Sequence, residues 1–180
     1  MNRIKFYVPR SCLKNIYLSL IHSHLNYGIL LWGFKLNKLR ILQKKAVRIL
    51  SHSHYLAHCE PLFKNANIMK IDDIFKMHCF KLYYNFINKV LPTNIENLFR
   101  IDLNEAHKLQ NFDCHDACGR ERIRFKLPQM INAAPLDIIQ KVNTHTINAF
   151  KINLKKYLIQ TYDDSPCTRQ DCYACDRANH

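Results

Sequence analysis

Between Ile71 and Val90, apolar side chains recur at Ile71, Ile74, Phe75, Cys79, Leu82, Tyr83, Phe86, Ile87 and Val90, with His78 beside Cys79. Steps of three and four residues sustained this long put one apolar stripe on a helix, so the segment reads as a long amphipathic helix. Leu91-Pro92 ends it, because proline pushes the residue before it out of helical geometry. Asp72 and Asp73 fall in the first turn, where carboxylates complement the positive end of the helix dipole. Neighbours in sequence point about 100° apart on a helix, so the two acids read as helix-start residues rather than as a catalytic pair. Tyr83, Tyr84 and Phe86 read as core and rim aromatics ahead of a base-stacking platform.

The same period appears on either side. Leu13, Ile16, Tyr17, Leu20 and Ile21 predict a helix from Pro9 to about His24, with Pro9 suited to a first turn where its missing N–H costs nothing. Asn26, Gly28 and Gly33 then interrupt an apolar Ile29-Leu30-Leu31-Trp32, which makes a break or a second short helix. Ile147, Phe150, Leu154, Tyr157 and Leu158 predict a last helix, capped by Thr144 or Thr146. Residues 93–135 read as irregular and polar, with Cys114, His115 and Cys118 in one loop. Within them Arg122-Ile123-Arg124-Phe125-Lys126 alternates charged and apolar side chains, which predicts a short strand with a basic face. The expected fold is therefore mainly α: a helical bundle over residues 1–92, an irregular segment with a short strand or hairpin and a C-terminal helix over 93–162, and a Cys-rich tail over 163–180.

One helical stretch differs in its polar face. In Phe34 to Leu50, Leu36, Leu39, Leu42, Ala46, Ile49 and Leu50 fall on one side, and Arg40, Lys44 and Arg48 form an i, i+4 row on the other. Lys38 and Lys45 widen that row, and the stretch itself contains no acid. Like charges four apart repel by roughly 0.2–0.5 kcal/mol per pair, a cost that an anionic partner removes. A solvated surface is the plain alternative. The wider charge distribution favours the anion: residues 1–100 hold 16 Lys/Arg against 4 Asp/Glu, a net of +12, whereas residues 101–180 hold 11 against 10, a net of +1. Such asymmetry points to RNA or DNA ahead of a membrane surface.

Composition closes several other routes. With three glycines, Gly28, Gly33 and Gly119, there is no Walker loop, no dinucleotide fingerprint and no Gly-x-Ser-x-Gly elbow, all of which need clustered glycine. The most apolar run, Ile16 to Trp32, contains His22, His24 and Asn26 and is too polar to span a bilayer, and no signal-peptide core opens the chain. An intracellular setting, nucleus or cytoplasm, is expected, and there the eight cysteines are thiols or metal ligands. His52, His54, His58 and Cys59 cluster at a spacing that fits no zinc pattern and read as a polar interhelical loop. Cys167, Cys172, Cys175 and His180 do offer four donors as C-x4-C-x2-C-x4-H, compatible with tetrahedral structural zinc or with reduced cysteines on a tail. Arg169 and Arg177 would set cations beside such a knuckle.

Ser19 to Gly33 (SLIHSHLNYGILLWG), the Leu39-x2-Leu42-Gln43-Lys44-Lys45-Ala46-x-Arg48 helix and His54-Tyr55-Leu56-Ala57-His58-x2-Pro61-Leu62-Phe63 together resemble the C-terminal region of jockey-like non-LTR retrotransposon reverse transcriptases. The likeness extends to about Tyr162. It implies a helical thumb and its downstream extension, with fingers and palm upstream, and a basic helix in which Lys38, Arg40, Lys44, Lys45 and Arg48 lie along the nucleic-acid backbone. Two departures matter. The Tyr/Phe-x-Asp-Asp hairpin that holds catalytic Mg²⁺ in that family is absent from this sequence, and Tyr162-Asp163-Asp164 lacks the intervening residue and runs into Ser165-Pro166. At Ile123 to Pro135, Leu127 and Ile131 stand where the family tends to have glycine and tryptophan, as in a decaying copy.

The leading expectation is thus a reverse transcriptase fragment without catalysis that retains nonspecific backbone binding. A zinc-stabilised helical module that binds another protein is the alternative, with bound zinc and salt-tolerant affinity as its marks. A Cys/His hydrolase is set aside, since no local signature supports a nucleophile.

Overall fold

The computed structural model describes residues 3–33, 36–103, 105, 108–112 and 122–162, and Asn143 by its backbone alone. The described chain is mainly α-helical, and its β structure is a single antiparallel bridge between Ile101 and Leu109. It divides into two compact units that interleave in sequence. The first takes the described parts of residues 1–27, 35–73 and 156–180, and the second those of 28–34 and 74–155.

In the first unit, α1 (Arg10–Ile16) continues through a π-helical stretch, Tyr17–His22, into α2 (Ser23–Asn26). Pro9 stands just outside α1 as its N-cap, its carbonyl accepting the Leu13 N–H at 3.1 Å. The π stretch corrects the expected face. Its wider turn shifts the helix by a residue relative to a 3.6 period, so Tyr17 and Leu25 are buried while Leu20 turns outward. The helix α4 (Asn37–Leu50) is followed by α5 (Cys59–Asn65), with His52 and His54 in the loop that joins them. The first turn of α6 (Ile71–Ile87) and the end of α10 (Ile147–Gln160) complete this unit, which encloses Leu13, Tyr17, Val47, Phe63, Ile71 and Leu158.

The second unit begins with α3 (Ile29–Trp32), entered through Gly28 at φ +62°. Gly33 follows at an ordinary φ and is small for another reason: a Cβ there would collide with the Ile29 carbonyl and the Phe75 ring. The body of α6 contributes Ile74, Phe75, Cys79, Tyr83 and Phe86 to the core, as its period predicts, although the helix stops at Ile87 and Val90 is exposed. Tyr84 stacks on Phe150 at 5.5 Å and donates its hydroxyl hydrogen bond to the His145 carbonyl at 2.9 Å.

The described parts of residues 93–135 hold more helix than their polarity predicts. Besides α7 (Thr93–Glu96), the helix α8 (Ile123–Asn132) occupies the place expected to be a strand. Alternation over Arg122–Lys126 is overruled by a longer helical pattern in which Leu127 and Ile131, four apart, are both fully buried. Pro128 sits inside this helix and removes one ladder N–H. The Asn132 side chain then pairs with the backbone of Leu109, accepting its N–H at 3.0 Å and donating to its carbonyl at 2.8 Å. The helix α9 (Leu136–Thr144) was not expected either, and Thr144 belongs to it, its hydroxyl turned back onto the Gln140 carbonyl at 3.3 Å. Entry to α10 instead runs through Thr146, whose carbonyl accepts the Phe150 N–H at 2.9 Å.

Three helices end in the same way without glycine. After α4, α5 and α6 the left-handed position is taken by His52, Asn67 and Lys89, at φ +53°, +52° and +53°. In each, the next N–H reaches back to a carbonyl in the last turn: Ser53 to Arg48, Ile68 to Phe63 and Val90 to Asn85, at 3.0, 3.0 and 2.9 Å. These are Schellman closures, which satisfy carbonyls that would otherwise lack a partner at a helix end.

Candidate nucleic-acid interface

The basic helix is α4, and its described residues begin at Leu36, since Phe34 and Lys35 lie outside them. Its buried side is Leu36, Gln43, Ala46, Val47 and Leu50, a three-and-four spacing that runs through a glutamine. This corrects the apolar face read from sequence. Leu42 is 58% exposed, and Gln43, one residue on, is 2% exposed. The side chain of Ile41 is outside as well.

Gln43 is held inside by three hydrogen bonds. Its Nε2 donates to the Tyr17 hydroxyl at 3.0 Å and to the Met69 carbonyl at 2.9 Å, and its Oε1 accepts the Ile71 N–H at 2.8 Å. The amide therefore spans from α4 to the first residue of α6, supplying a partner to an N–H that no helical carbonyl reaches. Burial pushes the Tyr17 phenol above its ordinary pKa, and the bond from Gln43 offsets part of that rise.

A second polar group closes the same helix start. The buried Tyr162 hydroxyl donates to Asp73 Oδ2 at 2.6 Å and accepts the Lys70 N–H at 2.9 Å. Burial, then the hydrogen bond to the Asp73 carboxylate and its charge, raise the Tyr162 phenol far above the ordinary tyrosine range. The Lys70 ammonium lies 4.2 Å from the centre of that ring and pairs with Glu60 at 2.8 Å. Tyr162 is thus a structural residue, and its neighbours Asp163 and Asp164 lie outside the described residues. Asp72 and Asp73 sit in the first turn of α6 as expected, and they diverge: Asp73 is buried and Asp72 reaches the surface.

Asp72 changes the reading of the cationic row. Arg40 grips it with Nε at 3.0 and 2.9 Å from its two oxygens and Nη2 at 2.6 Å, a forked arrangement, while Nη1 reaches Asn37 Oδ1 at 2.6 Å. The bond to Asp72 raises the Arg40 pKa further. Arg48 is half-buried and donates from Nε to the Ala57 carbonyl at 2.8 Å, tying α4 to the loop before α5. Of the five cations singled out from sequence, these two are committed to the fold. Lys38, Lys44 and Lys45 are exposed and have no carboxylate partner among the described residues. Lys44 lines a cleft of about 330 Å³ with Arg40, Lys70, Glu60 and Asp72.

Asp72 and Gln43 were the partners that periodicity did not reveal. The available signal for Gln43 was its position, seven residues after Leu36 and before Leu50, on the stripe that α4 buries. The proposed zinc donors Cys167, Cys172, Cys175 and His180, like Cys114, His115 and Cys118, lie outside the described residues. Among the described residues no group of three or more His, Cys, Asp or Glu side chains is placed to hold a metal, and no helix is long and apolar enough to cross a membrane. Compared with known protein families, curated proteins and solved structures, the chain matches none.

Proposed function

We propose that the chain is a piece of a non-LTR retrotransposon reverse transcriptase from beyond the palm, without polymerase chemistry of its own, that binds RNA or DNA through the phosphate backbone. The family part of this reading is supported by the residues between Ser19 and Phe63 that resemble it. The binding part is carried by one observation: α4 presents Lys38, Lys44 and Lys45 to solvent with no acid on the helix to balance them. Backbone phosphates suit this arrangement because ammonium groups on flexible stems neutralise charge without reading base edges.

The test follows from which cations are free to act. Binding of a labelled duplex is measured by anisotropy across a salt series, where each neutralised phosphate contributes about −0.9 to the slope of log K against log salt. The triple change Lys38→Gln, Lys44→Gln, Lys45→Gln is expected to flatten that slope by up to ~2.7 and to weaken every sequence alike. No binding at low salt, or an unaltered slope in the triple variant, overturns the reading.

A further inference from the structure

A second cationic feature lies in the first unit, away from the α4 lysines. A cleft of about 440 Å³ is lined by Arg10, Ser11 and Lys14 of α1, by Ser51 and Ser53 beyond α4, and by Asn65 at the end of α5, with apolar side chains as the rest of its wall. Two cationic residues, three serines and an asparagine line it without any carboxylate, and the Ser53 hydroxyl donates weakly to the Ser51 carbonyl at 3.4 Å. Its volume falls in the range of small-molecule sites, roughly 300–1,000 Å³.

The helix ends beside the cleft do not account for both cations. The last-turn carbonyls of Arg48 and Ile49 in α4, and of Phe63 and Lys64 in α5, are already taken by backbone N–H groups in the two Schellman closures. Arg10 makes one further bond of this kind, donating from Nη2 to the Ser51 carbonyl at 3.1 Å. A guanidinium has five N–H donors, so that bond anchors the group at the cleft and uses one of them. Lys14 is half-buried and has no ion-pair partner among the described residues. No carboxylate among the lining residues offers Lys14 a counter-charge, and an anion in the cleft supplies one.

We infer that this cleft binds a phosphate group. Tetrahedral oxyanions take several donors at once, and a guanidinium, an ammonium, hydroxyls and an amide supply them from three directions. The cleft is distinct from the α4 interface, because none of Lys38, Lys44 and Lys45 lines it. The phosphate is either free, as inorganic phosphate, or one of a nucleic-acid backbone.

The test is an NMR titration of the whole chain with inorganic phosphate, against sodium chloride at matched ionic strength. Shifts confined to Ser11, Lys14, Ser53 and Asn65 that saturate with phosphate and not with chloride are expected. Lys14→Gln, which breaks no side-chain bond among the described residues, is expected to weaken phosphate about tenfold, in line with the loss of one charge-assisted contact. A short single-stranded oligonucleotide forms the second arm. If it displaces phosphate from the same residues, the source is a backbone; if only free phosphate perturbs them, the source is a small anion; both uphold the site. Equal shifts with chloride, no shift at the cleft, or unchanged affinity in Lys14→Gln overturns it. The triple lysine variant of α4 should keep the phosphate shifts whatever becomes of its duplex binding, so the two readings fail separately.

Discussion

Gln43 shows how much one polar side chain can settle. A leucine of similar size would fit the apolar stripe of α4, yet it would leave the Met69 carbonyl and the Ile71 N–H without the partners they now have. Each buried unsatisfied group costs about 1–3 kcal/mol. Gln43→Leu should therefore destabilise the fold by roughly 2–4 kcal/mol despite its greater hydrophobicity. Leu42→Gln, one position along, should change stability by less than about 0.5 kcal/mol because that side chain is already in water. Denaturant unfolding of both variants checks the pair, and the idea fails if the buried change is the milder one. Sequence periodicity ranked the two residues the other way, since it scores a leucine as inside and has no means of counting the N–H of a helix start over twenty residues away. The pairing of Arg40 was out of reach for a related reason. Its partner Asp72 lies far along the chain, and no spacing rule within α4 can anticipate it.

At the scale of elements, what could be read depended on length. The long pattern of α6 held because errors at single positions average out over many turns, although it left out the buried Phe80 and ran past the end of the helix at Ile87. Over Arg122–Lys126 five residues fit an alternation, and only Leu127 and Ile131 beyond them reveal the helical period. The π stretch after α1 defeats any fixed period by its wider turn, which is why Leu20, expected inside, is exposed and Leu25 is buried. Helix ends were the least legible part, because glycine is the usual signal of a left-handed closure and His52, Asn67 and Lys89 stand there instead. A left-handed conformation costs a non-glycine residue about 1–2 kcal/mol, least for asparagine. Lys89 is exposed, so nothing in packing offsets that strain. Lys89→Gly should raise stability by about 1 kcal/mol, and Asn67→Gly by less. Urea midpoints decide the matter: a fall for Lys89→Gly would show that the closure after α6 does not depend on the left-handed residue.

For the molecule as a whole, the buried acids with raised pKa values set a prediction about alkaline pH. Burial lifts the phenols of Tyr17, Tyr83 and Tyr162 above their ordinary value, and pushes the Cys79 thiol up to about 12. In every case the native state holds the neutral form and the unfolded chain ionises first. The unfolded state therefore binds fewer protons as pH rises, and the slope of stability with pH is negative. These contributions are complete below the unfolded values, near 9 for cysteine and 10 for tyrosine. Above them each group subtracts about 1.4 kcal/mol per pH unit until its own folded value is passed. Comparing wild type with Tyr162→Phe cancels every ionisation the two proteins share and isolates this phenol. At neutral pH the variant should be weaker by about 1–3 kcal/mol, having lost the bonds to Asp73 and Lys70. Above about pH 10 it should decline less steeply, because one titrating group is gone, so the two stabilities converge. Chemical unfolding of both proteins from neutral pH to about pH 11 gives the result, and parallel curves would mean that Tyr162 ionises as easily in the fold as in the unfolded chain.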